Sequence, residues 1–312
     1  VQVFKTYADF CYFFPDSRRL VTTNDYKQAR VWDIATGKLL NNLGVDAESI
    51  KLVAISADGH LLALGSANNR VAVWDTHTWQ QIRALKDVFP DKVWQGVFPD
   101  KQRSLEFTKD AKILIASSEK VVRFWNLQTG KRIHIEPNPL PDNPRSVLSP
   151  NKTLLALRGR TGYVQVQNLQ TGARSILKIG PKGYQVRSYP WGRPYWRPNR
   201  VSYVEFSKDS TLLVAGCASQ IVKIWRIPGC QEVASFTGET LALAPDAKTL
   251  AIGDEDGIIT LWDTKTGKQK VVFQSSENAS SPHIPSPLLF SPNGDYLVAG
   301  TDDGVKLWKW SQ

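Results

Sequence analysis

What this 312-residue chain lacks narrows the reading before any motif is sought. It contains no methionine, not even at position 1, and only three cysteines and four histidines. Cys11, Cys217 and Cys230 show no metal-ligand spacing, and an odd count argues against a disulfide framework, so a reducing, cytoplasmic setting is expected. His60, His77, His134 and His283 sit in no Cys, Asp or Glu constellation, and each reads as a turn or surface residue. No run approaches the roughly eighteen apolar residues of a membrane-spanning helix, and no signal-peptide pattern opens the chain. Missing too are a G-x-S-x-G elbow, an H-E-x-x-H pair, a Walker loop and a G-x-G-x-x-G after a strand. No catalysis, metal or cofactor is therefore expected. The acidic turns at 254–257 and 302–304 resemble calcium loops only superficially, because the downstream Glu and remaining ligand positions are absent. The missing first Met is what a segment of a longer polypeptide would show, or a sequence from which modified methionines have dropped out.

What is present is a repeat. With 42% hydrophobic and 22% charged residues the composition is that of an ordinary globular chain. A turn motif recurs seven times: FPDSRRL at 14–20, SADGHLL at 56–62, TKDAKIL at 108–114, SPNKTLL at 149–155, SKDSTLL at 207–213, APDAKTL at 244–250 and SPNGDYL at 291–297. Each precedes a short β-branched or apolar run and then a closing position, Trp32, Trp74, Trp125, Gln167, Trp225, Trp262 and Trp308 in turn. A Thr-Gly turn follows most of them, at 36–37, 129–130, 171–172 and 266–267. Short apolar runs bounded by Asp, Gly and Pro read as strands joined by tight hairpins. Closing positions are separated by 42, 51, 42, 58, 37 and 46 residues.

On these seven motifs the chain resembles the WD40 family over essentially its whole length, whose repeats of roughly forty residues each form a four-stranded blade. The resemblance implies an all-β, seven-bladed WD40-type β-propeller. It implies a single domain over 1–312, with blades near 7–43, 44–85, 86–135, 136–179, 180–236, 237–273, and 274–312 joined by 1–6. Too few residues follow Trp308 for a fourth strand, whereas VQVFKT at 1–6 alternates like a strand without a blade. The N-terminal strand is thus expected to join the last blade, close the ring within these residues and cover two sheet edges. Well-formed WD40 blades carry a buried His–Ser/Thr–Asp–Trp network. Here the acidic hairpin position is filled by Asp256 and by Asp302 or Asp303, but elsewhere by Asp25 or Tyr26, Asn68, Glu119, Thr161 and Ser219, and blade 4 carries Gln167 instead of Trp. Stability is expected to rest on strand burial and the six closing tryptophans.

The long connections, 86–102, 136–145, 180–200 and 274–287, are expected on the top face of the ring, where recognition loops on rigid scaffolds usually sit. From Asn143 to Tyr203 there is no Asp or Glu but eleven basic residues. Removing those eleven from the 39 basic residues of the chain leaves 28 against 29 acidic ones, so the whole net charge of +10 belongs to this window. A one-sided field of this kind can steer a partner. Within it Tyr184, Arg187, Tyr189, Trp191, Arg193, Tyr195, Trp196 and Arg197 interleave aromatic and basic side chains, and Trp94 lies in an earlier long connection. These residue types dominate interface hot spots, can stack bases in single-stranded nucleic acid, or can fold on one another. The expected function is a non-catalytic scaffold or sensor domain that binds a protein partner or a companion domain through this loop. A nucleic-acid or phosphate reader is the alternative and a propeller enzyme a more distant one. The compact repeats are also similar to those of bacterial proteins in which such a ring follows a signalling module.

Overall fold

The computed structural model describes residues 1–6, 8, 10–23, 28–44, 50–89, 104–117, 121–137, 146–159, 161–186, 195–275, 284–301 and 304–310. Among them there is no helix. The strands form seven four-stranded sheets and one two-stranded hairpin. Sheets 1 to 6 open with Phe10–Phe13, Ile50–Ile55, Ser104–Phe107, Ser146–Leu148, Val201–Phe206 and Thr240–Leu243, and each runs through its strands in chain order. Sheet 7 runs Leu288–Phe290, Tyr296–Thr301, Gly304–Lys309 and then Gln2–Phe4, so the opening strand stands fourth as the sequence predicts.

The recurring turn motif has a local physical cause. In sheet 5 the buried Ser207 hydroxyl donates to Asp209 Oδ1 at 2.6 Å and accepts from the Leu212 N–H at 2.8 Å, closing the turn on itself. Ser149 with Asn151 and Leu154, and Ser291 with Asn293 and Tyr296, repeat the arrangement. The residue directly after the Asp or Asn takes up the strain, with φ of 59° at Lys152, 60° at Ser210 and 60° at Ala247. The second turn is capped by the residue after the closing position: Asp263 Oδ1 accepts from Thr266 N–H and hydroxyl, and Gly267 follows at φ 68°.

Contacts group the chain into two units, Gln2–Pro144 and Arg145–Gln312. In each, the core lies between neighbouring sheets. In the first unit, Phe14, Val31, Leu43 and Leu64 pack against Trp74, and Val73, Leu85 and Leu114 against Trp125. In the second, Leu177, Val204 and Leu213 surround Trp225, Phe236 and Leu250 meet Trp262, and Leu297 meets Trp308. Full burial of each aliphatic side chain is worth about 1.5–3 kcal/mol. Phe236 meets Trp262 at a 4.8 Å ring separation and Phe273 meets Trp308 at 5.6 Å. Phe4 stands against Trp32 in the same way, at 5.3 Å, and Arg30 Nη1 donates to Thr6 Oγ1 at 2.9 Å, so the N-terminal segment is fastened.

The expected weakness of the Trp network is visible. Trp32 Nε1 donates to Thr22 Oγ1 at 2.9 Å, but the buried indole N–H groups of Trp74 and Trp125 have no partner. Trp310, which the repeat motif does not mark, is buried and donates to the Gly294 carbonyl at 3.0 Å.

Candidate interaction surface

Between the last strand of sheet 4, Arg174–Lys178, and the first of sheet 5, the chain makes a hairpin of its own. Its strands are Gly183–Val186 and Tyr195–Pro198, paired antiparallel with Tyr184 opposite Arg197, Gln185 opposite Trp196 and Val186 opposite Tyr195. The sequence reads as a loop here because Pro and Gly punctuate it, yet the flanks Tyr-Gln-Val and Tyr-Trp-Arg are strand-forming residues. Gly183 is needed at its end, since a Cβ there would stand 2.9 Å from the Arg197 carbonyl oxygen.

The base of the hairpin is held by one buried side chain. Asn199 Nδ2 donates to the Pro181 carbonyl at 2.9 Å and to Ser219 Oγ at 3.0 Å, while its Oδ1 accepts from Ser219 N–H at 3.0 Å. Its backbone N–H donates to the Lys182 carbonyl, also at 3.0 Å. An amide that uses both ends in this way locks the hairpin onto sheet 5. Nothing in the sequence motifs singles out Asn199; its role depends on Ser219 lying twenty residues on.

Side chains alternate across a strand, so this register divides the predicted set. Tyr184, Tyr195 and Arg197 share one face, where the Arg197 guanidinium carbon lies 5.1 Å from the Tyr195 ring centre. Stacking of arginines on the loop's own tryptophans is the self-packing considered from the sequence; the contact here is instead to a tyrosine. Trp196 points to the other face, against the Gly183 backbone, and keeps 69% of its surface exposed. Arg187, Tyr189, Trp191, Arg193 and Trp94 lie outside the described residues.

The basic window is also divided. Arg174, Lys178, Lys182, Arg197 and Arg200 are exposed and, among the described residues, make no ion pair. Arg158 belongs to the fold instead: its Nη1 donates to the Ser202 carbonyl at 3.0 Å. Close by, Tyr203 donates its phenol to Glu205 Oε2 at 2.8 Å. Burial pushes the Glu205 carboxyl above its usual range, against the pull of its bonds to Tyr203 and the Leu243 N–H. The Tyr203 phenol is pushed far up by burial and by the Glu205 charge. Further along sheets 5 and 6, Gln220 Nε2 donates to Glu239 Oε1 at 2.7 Å and Glu255 Oε2 at 3.2 Å. Asp254 Oδ1 caps its own turn, accepting from the Asp256 and Ile258 N–H groups.

A groove of about 550 Å³ lies between Val233–Thr237 and Trp262, Thr266 and Gly267. None of these lining residues is titratable, so the groove offers shape and apolar contact rather than acid–base chemistry. No helix among the described residues is long and apolar enough to cross a membrane.

Seven four-stranded sheets from one repeated turn-and-Trp pattern define the class: an all-β WD40-type propeller fold. The family model for the WD domain, G-beta repeat, matches residues 196–226 and 288–309, so these repeats are of the WD40 kind. Similar proteins include telomerase protein component 1 of Rattus norvegicus, 23% identical over 261 residues, covering 82% of this chain and 9% of that protein. Small ribosomal subunit protein RACK1y of Oryza sativa subsp. japonica is 33% identical over 115 residues, 35% of this chain and 32% of its own. Apoptotic protease-activating factor 1 of Homo sapiens is 23% identical over 335 residues, 95% of this chain and 25% of its own. The chain thus spans about a third or less of each relative.

Proposed function

We propose that this chain is a non-catalytic interaction platform, one domain over 1–312, that docks a protein partner or a companion domain on the face bearing the 183–198 hairpin. The observation that carries the reading is Trp196, a large apolar side chain left 69% exposed on a hairpin pinned by buried Asn199. An aromatic anchor on a stiff mount loses little conformational freedom when buried by a partner. Exposed Lys182, Arg197 and Arg200 on and beside the hairpin, with Lys178 in the strand before it, carry positive charge that favours an acidic partner surface. The relatives' names support a platform role, because they describe a telomerase component, a ribosomal subunit protein and a protease-activating factor. Telomerase protein component 1 and apoptotic protease-activating factor 1 are each several times longer than this chain, in keeping with a propeller that serves other domains.

The test is a quantitative pull-down comparing the native chain with a variant carrying Ser at Trp191, Arg193, Trp196 and Arg197. Proteins recovered by the native chain should fall at least about tenfold with the variant. Equal recovery removes the assignment. The same acid-free segment favours nucleic acid as a second reading. Binding of a single-stranded oligonucleotide that weakens steeply with salt, and with loss of Trp196, would select it.

A further inference from the structure

Four histidines are scattered through the sequence, and the fold brings two of them together. His60 ends the first turn of sheet 2 and His77 lies in its second turn, seventeen positions on. Their rings are 4.5 Å apart, centre to centre, at an interplanar angle of 81°. Both are exposed. The two turns beneath them are fastened to each other: Thr76 N–H donates to the His60 carbonyl at 2.9 Å, and the buried Thr76 hydroxyl donates to the Gly59 carbonyl at 2.6 Å. The Cα positions of the pair are therefore fixed by buried hydrogen bonds, while the rings themselves can turn.

We propose that His60 and His77 form a two-imidazole chelate for a divalent transition-metal ion, tightest for Cu²⁺. With metal–nitrogen bonds of about 2.0 Å, two imidazoles at adjacent corners of a tetragonal ion hold their ring centres about 4.5 Å apart; a tetrahedral ion would spread them to about 5 Å. The observed separation matches the tetragonal case, and two-nitrogen sites bind Cu²⁺ most tightly among the first-row divalent ions.

The surrounding charges support a cation. Asp58 Oδ2 lies 3.8 Å from His60 Nδ1, placed to orient that ring with Nε2 outward, as carboxylates behind metal-bound histidines do. Asp58 is itself fixed, its Oδ1 accepting from the His60 N–H at 3.0 Å and from the Ser56 hydroxyl. Asp75 adjoins the other histidine, its Oδ1 accepting from the His77 backbone N–H at 2.8 Å. Arg19 is an opposing charge beneath the pair, reaching toward the Gly59 and Thr76 carbonyls, and it is paired with Asp16 at 2.8 Å. Among the described residues no group of three or more His, Cys, Asp or Glu is arranged as a metal site. The remaining coordination positions would be open to water or to a ligand from another molecule.

The experiment is a CuCl₂ titration of the untagged, metal-free 312-residue chain, followed by calorimetry and by electron paramagnetic resonance. One saturable equivalent with a signal from two coordinated nitrogens is expected, weaker for Zn²⁺ by at least about tenfold. His60→Ala and His77→Ala should each lower the Cu²⁺ affinity at least about tenfold, and Asp58→Asn by a similar or smaller factor. Because both rings are exposed, thermal melts of the variants should match the native chain. The proposal is overturned if no saturable equivalent binds, or if the His60→Ala/His77→Ala double variant still binds it.

Discussion

Sheets 4 and 6 are two copies of one repeat that have lost opposite parts. Sheet 4 keeps the buried serine of the first turn, Ser149, and has Gln167 at the closing position. Sheet 6 has Ala244 where that serine would be and keeps Trp262. The strand pairing records the second difference. Pairing with the outer strand slips by one residue at Trp262, as it does at Trp32, Trp74, Trp125 and Trp225, but runs without a slip through Val166 and Gln167. A bulge turns the strand locally, and in this chain it accompanies the aromatic side chain. The turns of sheet 6 stay tied through Thr264, whose hydroxyl donates to the Ala247 carbonyl at 2.6 Å, as Thr76 ties those of sheet 2, which keeps its serine Ser56. Sheet 4 has no closing aromatic, and its outer strand leaves Ile176 71% exposed. A blade therefore survives without its turn cap or without its Trp, because a neighbouring sheet shares its burial, as sheet 5 does for sheet 4.

Exchanging the distinguishing residues tests that conclusion. Trp262→Gln gives sheet 6 the closing residue of sheet 4, and removes the partner of Phe236. A loss of about 3 kcal/mol is expected in denaturant unfolding. A change under about 1 kcal/mol would mean that the closing Trp does not hold its flank. Ser149→Ala gives sheet 4 the turn of sheet 6. It leaves the Leu154 N–H and the Asn151 side chain without the buried hydroxyl, and about 1–2 kcal/mol should be lost by the same measurement. An unchanged midpoint would show the motif to be merely a steric preference. The smallest effect concerns the left-handed residue of the same turn. Lys152→Gly relieves a φ of 59° at an exposed position and should raise stability by about 0.5 kcal/mol after the entropy of the freer unfolded chain is subtracted. Ala247→Gly, at φ 60° in sheet 6, should gain less because it also deletes a buried methyl group. Calorimetric melting of the two variants side by side checks the order.

Much of this fold is readable because its signals are local. The S-x-D/N turn, the Thr-Gly turn and the closing Trp each act within about ten residues, and each reappears as a defined set of hydrogen bonds or contacts. The candidate surface was less legible. Aromatic and basic types drew attention to residues 184–197, but composition does not say which side of a strand each occupies. The register Gln185 opposite Trp196 separates Trp196 from Tyr195 and Arg197, and Arg158 is drawn out of the basic window by the Ser202 carbonyl. Asn199, which fixes the hairpin, carries no motif at all.

The order of the repeated turns, the number of repeats and the charge imbalance follow from the amino-acid sequence alone, since each depends on near neighbours or on simple counting. Which side chains meet was decided only in three dimensions. His60 with His77, Asn199 with Ser219, and Phe4 with Trp32 are separated by seventeen to twenty-eight positions, and only strand register and sheet packing set such distances.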